Sequence, residues 1–76
     1  MRLSEVLAKL SQQGLGQVGT WKVRGASGIT LGDPKKYFPH PTGPQYTIET
    51  TGNQDPELTE EEIKAIERRF GVKLRP

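Results

Sequence analysis

Seventy-six residues, 32% of them hydrophobic, with a mean hydropathy of −0.68, bound a single small domain with a thin core. No apolar run approaches the roughly 18 residues of a membrane span, Met1-Arg2 opens into an amphipathic pattern and not a signal peptide, and the absence of cysteine excludes a disulfide framework or a thiolate zinc site. The net charge is only +2, but it comes in blocks: +4 over residues 1–48, −6 over residues 49–62 and +4 over residues 63–76.

These features describe a soluble, cytoplasmic protein without a membrane partner. Basic blocks around an acidic one suit nucleic acid or an acidic protein partner, and they equally suit a mixed, solvated surface.

The first predicted element is a helix from about Leu3 to Gln13. Leu3, Val6, Leu7 and Leu10 form one stripe of a 3.6-residue period, with Ser4 as the cap and Gly14 as the stop. Strand patterns follow. Trp21 and Val23 alternate with Thr20, Lys22 and Arg24; Ile29 and Leu31 alternate with Gly28 and Thr30; and Gly25-Ala26-Ser27-Gly28 forms the hairpin between them. Asp33-Pro34-Lys35-Lys36 reads as a turn, and Tyr46, Ile48 and Thr50 alternate with Gln45, Thr47 and Glu49 in a third strand.

The closing helix, Glu60 to Phe70, carries the strongest local signal. Thr59 and Glu62 form a capping box, and Leu58 and Ile63 a hydrophobic staple. Glu60–Glu62 and Arg68–Arg69 suit the two ends of the helix dipole, and Gly71 supplies the stop. Helix, three strands, helix is an α+β order: a two-layer α-β-β-β-α sandwich whose three-stranded antiparallel sheet packs on two helices through Trp21, Val23, Ile29, Leu31, Tyr46 and Ile48.

Catalytic chemistry finds little footing. His40 is the only histidine, bracketed by Pro39 and Pro41, and without cysteine it builds no closed metal site. No spacing pairs it with a serine or threonine nucleophile. Gly25, Gly28 and Gly32 match no phosphate-binding fingerprint, and Glu60–Glu62 are accounted for by capping. No cofactor, metal or catalytic residue is expected. What retains a functional edge is Lys22, Arg24, Lys35 and Lys36 beside Trp21 and Tyr37, joined by Lys64 and Arg68 of the last helix. The ordinary alternative is a charged strand that blocks edge-to-edge aggregation.

One segment adds a family resemblance. His40-Pro41-Thr42-Gly43, then Tyr46-Thr47-Ile48 and Gly52-Asn53, is similar to the turn, third strand and exit of the HicA-type mRNA interferase toxins, whose fold is like a double-stranded RNA-binding domain. Leu7 to Gly14 resembles their first helix, and Val23-Arg24-Gly25 their approach to the second strand. The resemblance implies RNA or DNA as ligand and an antitoxin-like protein as partner, with Tyr37 and His40 on a candidate site turn. Three departures accompany it. The place of the family's catalytic histidine reads Gly25-Ala26-Ser27, Gly32 to Lys36 stands as an insertion, and the last helix is far more acidic at its start than a plain RNA-facing helix. The expectation is a small non-catalytic nucleic-acid-binding module. The alternative is a module that docks an acidic protein through its basic strand face or sheet edge.

Overall fold

The computed structural model describes every residue except Pro39 and Pro76. In chain order the elements are α1 (Leu3–Ser11), β1 (Gly16–Val23), β2 (Ala26–Gly32), α2 (Pro34–Tyr37), β3 (Tyr46–Glu49) and α3 (Glu60–Phe70). The strands form one antiparallel sheet in the order β1-β2-β3. Helices α1 and α3 cover one face of it, giving the two-layer α+β sandwich that the element order implies. Among the described residues, no helix is long and apolar enough to cross a membrane.

Local chemistry accounts for α3. The Thr59 hydroxyl accepts from the Glu62 N–H at 3.1 Å and the Glu62 carboxylate accepts from the Thr59 N–H at 2.9 Å, so two otherwise orphaned donors are satisfied reciprocally. Gly71 adopts the left-handed conformation at φ 65°, and the Val72 N–H donates to the Glu67 carbonyl at 3.1 Å. The chain then turns back: the Glu67 carboxylate accepts from the Leu74 N–H at 2.8 Å, and Leu74 enters the core.

That core joins Leu3, Val6 and Leu10 of α1 to Ile63 and Ile66 of α3, over Ile29, Leu31 and Ile48 of the sheet, with Leu58 and Leu74 closing its ends. Each such side chain contributes about 1.5–3 kcal/mol by leaving water. The N-terminal segment is tied to the run before α3. Leu3 N–H donates to the Pro56 carbonyl and Leu58 N–H to the Met1 carbonyl, at 2.9 and 2.8 Å.

Several expectations are corrected. Helix α1 ends at Ser11 and not Gln13, and its cap position belongs to Arg2; Ser4 instead donates its N–H and hydroxyl to the Asp55 carboxylate at 2.8 and 3.0 Å. The hairpin turn is Arg24-Gly25 alone, with Gly25 at φ 75°, and Ala26–Gly28 belong to β2. Asp33 to Lys36 is no simple turn. The Asp33 carboxylate accepts from the Lys35 N–H at 2.9 Å and Pro34 occupies the first helical position, which together start α2.

The largest correction concerns Trp21 and Val23. A two-residue connection pairs even-numbered residues of β1 with odd-numbered residues of β2, so Thr20 lies opposite Ile29 and Trp21 opposite Gly28. Ile29 is in the core, so Thr20 and Lys22 share the helix-covered face, while Trp21 and Val23 stand on the other. Val23 is 60% exposed.

Candidate nucleic-acid interface

The sheet face opposite α1 and α3 has a floor of small residues. Ala26, Gly28, Thr30 and Gly32 of β2 alternate onto it, with Gly19 of β1 opposite Thr30. The Trp21 ring lies against Gly28: a Cβ there would come within 2.5 Å of two indole carbons and would also strike the Ile48 carbonyl. The indole Nε1 is buried with no acceptor among the described residues. An unmade buried hydrogen bond costs about 1–3 kcal/mol, so ring contact and not the polar atom holds Trp21 in place.

Between Gln17 and Gly19 the register slips by one residue, a bulge that leaves Val18 without a partner and buried against Gly32. Helix α2 folds back over this part of β1. The Tyr37 hydroxyl sits 3.4 Å from where a Gly19 Cβ would be. Phe38 follows edge-on to Tyr37, ring centroids 5.0 Å apart at 78°, and is 60% exposed. The loop beyond is tied to α2 by Thr42, whose N–H and hydroxyl both donate to the Lys36 carbonyl. Trp21 and Tyr37, both half-buried, therefore share the face that the long helices do not cover, with the exposed Phe38 set against Tyr37.

The basic candidates divide. Lys35 and Lys36 are exposed on the same turn of helix that seats Tyr37, and Arg24 is exposed at the hairpin tip, next to Val23. Lys22 is exposed, but on the helix-covered face and not on the opposite one that alternation with Trp21 suggests. With Leu3, Leu7, Thr20, Ser27 and Thr50 it lines a cleft of about 330 Å³ beside α1 and the hairpin, which Trp21 and Gly28 also line. Lys64 and Arg68 lie one turn apart on the exposed side of α3, in the helical layer. Thus Arg24, Lys35 and Lys36 join the aromatic face, and Lys22, Lys64 and Arg68 do not.

The carboxylates are largely engaged by the chain itself: Glu5 by the Arg2 N–H, Asp33 by α2, Asp55 by Ser4, Glu57 by the N-terminal ammonium at 2.8 Å, Glu60 by Arg75, Glu62 by the capping box and Glu67 by the tail. The N-terminal ammonium holds the Glu57 carboxyl below its ordinary range, and the Leu74 N–H does the same for Glu67. Among the described residues, none of Lys22, Arg24, Lys35, Lys36, Lys64 and Arg68 forms an ion pair. Glu49, opposite Gly28, is the carboxylate on the open face.

His40 is exposed in the loop after α2; the Pro39 half of its expected bracket lies outside the described residues. Ser27 sits at the far end of β2 from α2, its N–H donating to the Thr51 hydroxyl at 2.9 Å. Phe38 carries no signal in the sequence that marks it for the site, and alternation alone sets Trp21 on the wrong face. The even length of the hairpin connection is the signal that corrects the second. Compared with protein families, with curated proteins and with solved structures, the chain matches none.

Proposed function

We propose that this protein is a small, non-catalytic nucleic-acid-binding module. The observation that carries the reading is the set of exposed cations without ion-pair partners among the described residues: Arg24, Lys35 and Lys36 border a face that also presents Trp21, Tyr37 and Phe38. Cations held in water beside aromatic rings match a polyanion that also has flat apolar bases. A carboxylate-rich protein surface would use the cations and leave the rings idle. Lys22, Lys64 and Arg68 extend positive potential around the molecule and aid non-specific approach without belonging to the contact surface. The resemblance to the HicA-type toxins supports the same ligand class, and Ser27 at the place of the family's histidine supports binding without cleavage.

Salt dependence of RNA binding tests this. The logarithm of the binding constant falls linearly with the logarithm of salt, by about 0.7–0.9 for each phosphate neutralised. Lys35→Glu with Lys36→Glu is expected to weaken binding and to flatten that slope by about 0.7–0.9 for each phosphate no longer neutralised. A flat salt profile, or a double variant that binds as the parent does, removes the reading.

A further inference from the structure

We infer that the open sheet face is a stacking platform for single-stranded nucleic acid, an inference that rests on the binding reading above and narrows it. In a duplex the flat faces of bases are already stacked on one another, and an A-form helix offers proteins its phosphates and 2′-hydroxyls. Aromatic rings presented from a sheet, Phe38 exposed and Trp21 and Tyr37 half-buried, have no use for such a ligand. They match bases that are splayed out of a stack.

The floor beneath the rings lets a strand come close. Gly28 is buried under Trp21, and Gly19 leaves room for the hydroxyl end of Tyr37, so both rings lie low on the sheet without a side chain between. Positions 19 and 21 are about 7 Å apart along one strand face. Phe38 stands edge-on beside Tyr37 and is the most exposed of the three aromatics.

Cations stand at both ends of this row, Lys35 and Lys36 on α2 and Arg24 at the hairpin tip. Glu49 projects from β3 on the same face and repels phosphate, which places the backbone on the β1 side. A path along β1 from Phe38 to Arg24 has room for about two or three bases, the number that a sheet platform commonly holds.

The test compares a short oligouridylate with a blunt RNA duplex of the same length, following anisotropy of the labelled RNA and emission of Trp21, the only tryptophan. The single strand is expected to bind at least roughly tenfold tighter and to quench Trp21. Phe38→Ala, at an exposed position that the core does not need, is expected to weaken oligouridylate binding roughly 5- to 100-fold while leaving the melting temperature unchanged. Glu49→Gln is expected to tighten it. Equal or tighter duplex binding, unaffected by Phe38→Ala, overturns the single-strand inference and leaves the nucleic-acid reading standing. Binding to neither RNA, with binding to polyglutamate in its place, overturns both.

Discussion

Gly28 is where the shape of the open face depends on a single missing atom group. The position lies in the central strand, flanked on its own face by Trp21 and Glu49, and a methyl there collides with both the indole and the Ile48 carbonyl. The indole could swing away, but the carbonyl belongs to backbone in the sheet ladder and cannot. Gly28→Ala is therefore expected to destabilise the fold by about 1–3 kcal/mol, the usual cost of overpacking, and to shift Trp21 emission to the red as the ring is lifted. Urea denaturation followed by fluorescence reads both effects; an unchanged midpoint and emission maximum would mean that Trp21 does not rest on Gly28. A second residue-scale expectation concerns Trp21 itself. Because the ring is half-buried, its emission is expected to fall between the solvent-like maximum and the blue maximum of a core tryptophan, with ready quenching by acrylamide. None of this is legible from alternation alone, which separates two faces of a strand without saying which one the helices cover.

At the scale of elements, what the sequence discloses tracks how local each determinant is. Helix α3 runs from Glu60 to Phe70 as its capping box and glycine stop predict, because Thr59, Glu62 and Gly71 act within one turn of their own positions. Thr59→Ala is expected to cost about 1 kcal/mol in a denaturant titration, more than alanine at an exposed site such as Glu61. The β1–β2 pair depends on two features that alternation does not carry, a turn of two residues and a bulge at Val18, so its faces come out reversed when alternation is the only guide. Helix α2 falls between these extremes: Asp33-Pro34 is a legible start, but with only four residues the helix holds because Tyr37 docks on β1, a contact that nothing near Asp33 announces. The tail after α3 adds a pH prediction. Because the Leu74 N–H favours the charged form, the Glu67 carboxyl titrates below its ordinary value near 4.5 in the folded protein. A depressed folded value means stability that is fully present above the unfolded value and lost as pH falls through the folded one. The stability gap between the parent and Glu67→Gln should then be constant near neutral pH and close progressively below about pH 4.5. A gap that does not vary with pH would show that the carboxylate charge does not hold the tail.

Across the whole molecule, the alternating charge blocks of the sequence become a spatial arrangement. Members of the acidic block bind the N-terminal segment and the C-terminal tail: Asp55 meets Ser4 and Arg2, Glu57 the N-terminal ammonium, and Glu60 Arg75. The acids thus close the chain ends around the start of α3, while the cations of residues 22–36 are left facing solvent. On the proposed reading this arrangement serves to bind a polyanion and not to cut one. General acid–base cleavage of RNA needs a titratable group within hydrogen-bond reach of the reacting hydroxyl, backed by a second group to stabilise the leaving oxygen. On the proposed resemblance Ser27 takes the place of a catalytic histidine, and a serine hydroxyl is no general base near neutral pH. His40 lies in the loop after α2, at the opposite end of β2 from Ser27. Incubated with labelled single-stranded RNA under conditions where it binds, the purified protein is expected to leave the strand intact. Cleavage that His40→Ala abolishes and Ser27→Ala spares would place a catalytic centre on the Tyr37–Gly43 turn, directly beside the aromatic face; the binding surface would then be the substrate track of an enzyme.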